Sequence, residues 1–271
     1  MRPRPVTKSL AVRCGLSLAA CGLTIMPALA ADVTARQLTE MLYKAQSGQP
    51  PDLSGKDLSF LDLSGLDFKG ASLSHANMFG ADLTRSNLKG TNLSGVMLDR
   101  AIVLSADFSG ANLEGASLMR PSVNVSLDRN RADAPKFAGA NLRGIRITAM
   151  MDGADFRGAD LTDANLGPHD PRADMSSMPG SILRGSDFSG AILARADLMW
   201  AKLRFSKFVG ADLRDVNFVG ADLSMVDFSG ADLTGANLLD ADLDGANLSG
   251  VRGLDKVNGL DQTRNFDRVV R

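Results

Sequence analysis

From Leu53 onward a large apolar residue recurs at every fifth position, through Leu58, Leu63, Phe68, Leu73 and Met78 to Val123. The beat returns at Phe137, Leu142 and Ile147, slips by one residue to Met151, Phe156, Leu161 and Leu166, and resumes from Leu183 to Leu248. An amphipathic helix repeats its apolar face about every 3.6 residues and a half-buried strand every second residue, so a period of five belongs to neither. It marks a stacked repeat, in which each unit covers its neighbour.

The stretch ahead of the beat has helical spacing instead. Leu38, Met41, Leu42 and Ala45 share one face of a helix predicted over Ala35–Gln46. Thr34 can cap its start, Gln37 stands three residues on as in a capping box, and Val33 with Leu38 has the spacing of a hydrophobic staple. Gly48, Pro50 and Pro51 end it. An open solenoid end exposes its core and unpaired backbone, so this helix reads as a cap on the first coil.

Around the apolar centres the chain reads Ala-Asp/Asn-Leu/Phe-x-Gly, as in Gly80-Ala81-Asp82-Leu83 and Gly230-Ala231-Asp232-Leu233. This closely resembles the pentapeptide-repeat family, whose motif is A-(D/N)-(L/F)-x-x, over nearly all of Asp52 to Gly250. The resemblance implies an all-β fold, a right-handed quadrilateral β-helix in which four pentads make one coil and each pentad supplies one face. It also implies that the central Leu or Phe and the Ala two residues before it point inward, while the Asp or Asn and the two following residues face out.

Coils stacked at strand spacing, about 4.8 Å, put residues twenty apart above one another. Phe188, Phe208 and Phe228 should then form an aromatic ladder continued by Leu248, while Asp187, Lys207 and Asp227 alternate in sign on the outside. Lys202 falls beneath Asp222. Asp62 over Asp82 and Asp212 over Asp232 set like charges together, at small cost where water screens them.

Composition agrees with a narrow core: aromatic residues are 5%, with one Trp and one Tyr, and Gly numbers 27. The formal net charge is -1; setting aside four basic residues of the leader, Arg2, Arg4, Lys8 and Arg13, lowers it by four to -5. That mildly acidic body lacks the basic face of a nucleic-acid binder. Cys14 and Cys21 are the only cysteines, so no disulfide is expected in the body.

The basic leader, the apolar run Cys14 to Ile25 and Ala28-Leu29-Ala30 have the form of a signal peptide cleaved after Ala30. A periplasmic or secreted address follows, with no membrane span after cleavage. Leu18-Ala19-Ala20-Cys21 resembles a lipobox, but the apolar character continues past Cys21. The expected organisation is therefore a leader at 1–30, a capping helix and turn at 31–50, a solenoid at 51–250 and a closing coil with C-terminal cap at 251–271.

The regular coils offer no recognisable chemistry. His75 and His169 are the only histidines, glycines follow the beat rather than a phosphate loop, and paired carboxylates arise wherever the motif places Asp. No catalytic residue, metal site or cofactor is predicted. Two breaks in the beat are more informative, because insertions in repeat proteins leave the coil and often carry binding residues. The first, 124–135, holds Asp128, Arg129, Arg131 and Asp133; the second, 167–180, holds His169, Asp170, Arg172 and Asp174. Seven pentads separate them, which places them at adjacent corners less than two coils apart. Counting Ala173-Asp174-Met175 as a degenerate pentad would rotate the second by one face. Trp200, two residues after Leu198, should point outward, as a partner hot spot or as a ledge covered by its neighbours.

These features predict a non-enzymatic exported scaffold with a protein partner, no direct nucleic-acid binding, and the possibility of a homodimer through a solenoid end. The family resemblance supplies an alternative, since some pentapeptide-repeat proteins imitate duplex DNA and protect DNA gyrase, a topoisomerase. An exported protein would not meet gyrase in the cytosol, and interspersed Lys and Arg weaken the likeness to DNA.

Overall fold

Backbone pairing follows the twenty-residue offset that the beat requires. In the computed structural model, which describes residues 32–45, 50–68, 70–123, 133–168 and 180–271, parallel bridges join Asp52, Ser72, Asn92, Asn112, Asn141, Asp160, Ile192, Asp212, Asp232 and Arg252 in series. Each of these residues opens one coil, numbered one to ten in that order, and their column is face one. Faces two, three and four begin at Asp57, Asp62 and Asp67. The described residues belong to the compact unit Ala31–Arg271.

Each pentad contributes one bridged residue and a two-residue turn, so extended strands barely develop. Among the described residues the strands are β1 (Ser117–Met119) and β2 (Arg146–Thr148), paired in parallel with Leu118 opposite Ile147. The bridged residue faces out while the next residue, the apolar centre, is sealed: Leu53, Leu73, Leu93 and Leu113 are all fully buried. The small residue at the start of the pentad shares that interior, as Ala71, Ala111 and Ala211 do. The slot is filled to close packing, and it also takes Val216 beside Phe218 and Val226 beside Phe228, all buried.

The Asp or Asn of the motif has a structural task. Its Oδ1 accepts the backbone N–H two residues on, as Asp82 does from Thr84 at 2.8 Å, Asn165 from Gly167 at 3.1 Å and Asp187 from Ser189 at 2.9 Å. The second turn residue is then left-handed, which glycine adopts freely; Trp200 at φ 55° and Phe60 at φ 58° adopt it without being glycine.

Inside face four runs the aromatic ladder, and it is longer than the sequence indicated. Phe108, Phe137, Phe156, Phe188 and Phe208 stack at 5.1, 5.0, 4.7 and 4.7 Å between centroids, with Phe228 next at 5.4 Å. Phe218, reaching in from face two, meets Phe208 and Phe228 edge-on. The ladder thus passes through both breaks in the beat without losing register.

Helix α1 (Ala35–Lys44) forms with the predicted capping box: Thr34 accepts from the Gln37 N–H, and the Gln37 side chain accepts from the Thr34 N–H. Leu38 and Leu42 are buried in the apolar cluster that includes Leu53. Two details differ from the sequence expectation. The helix ends at Lys44, before Gln46, which lies outside the described residues. Met41 is 39% exposed, because Leu38 and Leu42, one turn apart, take the line of contact and leave Met41 on its margin. Asp32 ties the entry to coil one: its N–H donates to Asp57 O, and its Oδ2 accepts from the Asp57 N–H, both at 2.9 Å. Among the described residues no helix is long and apolar enough to cross a membrane.

Coil ten advances by six residues per face, through Arg252, Asn258, Arg264 and Val270. Short 3-10 turns at Leu254–Lys256, Leu260–Gln262 and Phe266–Arg268 take up the extra residue. Its inward residues, including Val257, Leu260 and Phe266, are half-buried against the core.

Candidate interaction site

A left-handed turn residue projects its side chain over the same position of the next coil. Phe60 lies over Gly80, His75 over Gly95, Trp200 over Gly220 and Met225 over Gly245, each so close that a Cβ on the glycine would meet the ring or sulfur at 2.8 Å or less. The corners are therefore where side chains gain freedom to differ from the motif, and where recognition can be built.

The bridges fix both breaks at such corners. Ser122 and Lys136 occupy successive faces, three and four, of coil four; Asn165 and Ile182 occupy faces two and three of coil six. No face is skipped between Asn165 and Ile182; Ala173-Asp174-Met175 lies outside the described residues. The breaks flank face three from its two sides, with Met150, 44% exposed, on that face in the coil between them.

Of the sequence-predicted residues, Asp128, Arg129, Arg131, His169, Asp170, Arg172 and Asp174 lie outside the described residues. Asp133 faces back into the fold: its backbone oxygen accepts from the Ser105 N–H at 2.7 Å, and its Oδ1 from the Ser105 hydroxyl at 3.4 Å. Pro135 is buried in the small-residue slot of the pentad centred on Phe137, so the first break is shorter than 124–135. Trp200 is half-buried, and the end of the second break returns against it: a Cβ on Gly180 would lie 3.0 Å from the Trp200 carbonyl oxygen. The structure thus brings Trp200 and the second break to one corner, between faces two and three.

Electrostatics on the outer faces serves mainly the coils. Asp155 is held below the ordinary carboxylate range chiefly by the side chain of Arg157, and Asp212 likewise by Arg214. Asp163 takes a two-pronged bond from Arg195 at 2.7 and 2.8 Å. The Thr234 hydroxyl does for Asp232 what the arginines do elsewhere. Among the described residues no group of three or more His, Cys, Asp or Glu is arranged to hold a metal ion.

Two features escaped the sequence reading. On the corner that carries Trp200, Phe60 is 73% exposed and meets Phe79 edge-on at 5.3 Å, while the Arg100 guanidinium lies 5.8 Å from the Phe79 ring. Further along, the one-residue slip places Met150, rather than residue 151, in the face-three column, and the face-two turn of coil five, after Arg146, lacks its protruding left-handed residue. A cavity of about 160 Å³ results, lined by Met119, Arg146, Thr148 and Asn165. The slip itself was visible as a change of phase; its consequence needed the assignment of faces.

A parallel solenoid of five-residue faces, with Asp or Asn closing each turn, defines a repeat class, and comparison with known proteins names it. The family described as pentapeptide repeats matches in eight copies over residues 52–78, 76–118, 136–167, 181–218 and 211–250. The chain belongs to the pentapeptide-repeat family, whose members fold as right-handed β-helices and are generally non-enzymatic structural or interaction scaffolds. Among solved structures it is similar to HetL, a pentapeptide repeat protein involved in heterocyst differentiation regulation from the cyanobacterium Nostoc sp. strain PCC 7120, at 26% identity and TM-score 0.48, over 88% of this chain and 94% of that one. It is also similar to full-length QnrB1, a plasmid-mediated fluoroquinolone resistance protein, at 20% identity and TM-score 0.36, over 78% and 92% of the two chains. A pentapeptide repeat protein of the Arabidopsis thaliana thylakoid lumen matches at 30% identity and TM-score 0.26, over 47% of this chain and 76% of its own. No curated protein matches the chain.

Proposed function

We propose that this protein is an exported, non-enzymatic repeat scaffold that binds a protein partner beside face three, with α1 closing one end of the solenoid. The reading is carried by the convergence of the two breaks on adjacent corners, with Trp200 against the second. A rigid coil can hold variable segments at a fixed separation, and a half-buried Trp is the kind of anchor that binding surfaces use. Residues 1–30 act as a cleaved leader, so partner and scaffold meet in the periplasm or outside the cell.

Cell fractionation with an intact mass tests the address. A periplasmic species beginning at Ala31 supports export, a diacylglyceryl Cys21 makes the protein a lipoprotein, and a cytosolic uncleaved chain overturns export and favours a gyrase-directed DNA mimic. Photo-crosslinking from position 200 in cells tests the scaffold itself: adducts with one defined protein support it, and none from this position or from face two overturns it.

A further inference from the structure

The exterior is not equally acidic on its four sides. Face four presents five carboxylates, Asp67, Asp107, Asp155, Asp187 and Asp227, interspersed with Asn87, Lys136, Lys207 and Asn247 in one column, whereas face two, from coil two to coil six, presents Asn77, Met97, Ser117, Arg146 and Asn165. No carboxylate stands in the bridged column of that stretch. Asp99, on the turn beside it, directs Oδ1 at the strand, accepting from the Ser117 hydroxyl at 2.6 Å and the Met119 N–H at 2.9 Å.

Several arginines are tied to carboxylates, Arg143 to Asp160, Arg157 to Asp155, Arg195 to Asp163 and Arg214 to Asp212, whereas others, such as Arg85 and Arg184, form no ion pair among the described residues. Arg120 and Arg146 are exposed and have no carboxylate partner among the described residues. They are neighbours across the slip, because the Arg120 N–H donates to Thr148 O at 2.7 Å and Thr148 lines the same cavity as Arg146. Arg146 therefore lines a polar notch, and Arg120 stands on the adjoining turn, its backbone bonded to another residue of the lining. Apolar surface adjoins them: Met97 is 42% exposed one coil above β1, and Phe60 with Phe79 forms the corner beyond.

We infer that face two, between coils two and six, binds an extended segment of another protein that carries carboxylates interspersed with apolar side chains. A carboxylate enters the notch, where Arg120 and Arg146 offer forked donors. The apolar side chains cover the exposed Met97 and, towards coil one, the exposed Phe60 with the half-buried Phe79 against it, an apolar surface of the kind interfaces use. This rests on the scaffold reading and adds to it a second contact area and the chemistry of its partner.

The probe is a fluorescein-labelled synthetic peptide of alternating Glu and Leu, titrated with the purified full chain and read by anisotropy, with Lys-Leu and Glu-Ser peptides as controls. The expected result is saturable binding of Glu-Leu alone. It should weaken by about tenfold or more in the double variant Arg120→Glu, Arg146→Glu, since reversing both charges repels the ligand. Phe60→Ser with Met97→Ser should weaken it too, while Lys256→Glu in coil ten leaves it unchanged. Circular dichroism confirms that each variant is folded, which exposed substitutions permit. Equal binding of Glu-Ser, or binding indifferent to the arginine reversal, overturns the proposal. So does binding that appears only after Asp170→Asn and Asp174→Asn, because the chain's own segment would then be the occupant. Absence of Glu-Leu binding, with crosslinks from position 200 still formed, removes this surface and leaves the scaffold reading standing.

Discussion

Trp200 lies over Gly220 of the next coil, so close that a Cβ there would overlap the indole Cδ1 and stand 2.6 Å from Nε1. Gly220 is also left-handed, at φ 64°. Gly220→Ala should therefore suffer twice, from backbone strain of about 1–2 kcal/mol and from displacement of the indole. Gly210, at the same φ of 64° with nothing within 4 Å of its Cβ position, isolates the strain alone. Urea midpoints should rank Gly210→Ala above Gly220→Ala. Adding Trp200→Ala should recover the difference, a coupling of about 0.5–3 kcal/mol for residues in contact.

The aromatic ladder gives the second prediction. Phe208 is fully buried, stacked between Phe188 and Phe228 and touched edge-on by Phe218. Replacing it with Ala should cost about 3–5 kcal/mol, since neighbouring coils are pinned by backbone bonds and cannot collapse into the space. Phe208→Leu, which restores the motif's commoner centre, should cost distinctly less. Equal losses in chemical denaturation would show that the aromatic stack itself, rather than bulk apolar burial, carries the contribution.

A third concerns acid. The carboxyl of Asp155 accepts three bonds from Arg157: from the backbone N–H at 3.1 Å, from Nε at 2.9 Å and from Nη2 at 2.7 Å. The Arg157 side chain is the main reason that its pKa is depressed. A depressed aspartate stabilises the fold above its unfolded value and loses that contribution as pH falls through the folded one, so the loss should set in from about pH 4 downward. Asp155→Asn keeps the turn acceptor but not the charge. Its cost at pH 7 should stay within about 1 kcal/mol, as for exposed ion pairs, and its acid melting should be shallower. Asp155→Ala removes the acceptor as well and should lose about 0.5–1.5 kcal/mol more. A thermal melt series from pH 7 to pH 2.5 measures both.

Much of this architecture was legible because a five-residue beat can be read one residue at a time. Leu53, Leu73 and Leu93 announced the interior, and Thr34 with Gln37 announced α1. The breaks hid what depends on columns. Phe108, Phe137 and Phe156 were visible as apolar centres, yet nothing local says that Lys136 follows Ser122 around the same coil, so their place in the ladder had to come from the bridges. The same limit concealed the notch at Arg146 and its neighbour Arg120, which are far apart in the beat and adjacent only after stacking. Asp133 failed as a site residue for another reason: it stands near a break in the sequence but bonds to Ser105 in the coil above. Proximity to an insertion does not show which way a side chain faces.

The last prediction tests what α1 contributes to the stack. In a solenoid each coil rests on its neighbours, so loss of an end contact should loosen adjacent coils and fade with distance. Leu38 is fully buried against the core, and Leu38→Ala should cost about 2–5 kcal/mol locally. Thr34→Ala, which removes only the cap acceptor, should cost about 1 kcal/mol. Hydrogen exchange separates a local from a global effect. In Leu38→Ala the amides of Leu53 and Leu58, which donate to Ser72 O and Asn77 O at 2.7 Å, should exchange faster. Those of Leu213 and Leu233, bonded to Asp232 O and Arg252 O at 2.9 Å, should keep their protection. Uniform acceleration along the whole series would mean that the solenoid opens as one cooperative body, and that α1 stabilises all of it rather than shielding one end.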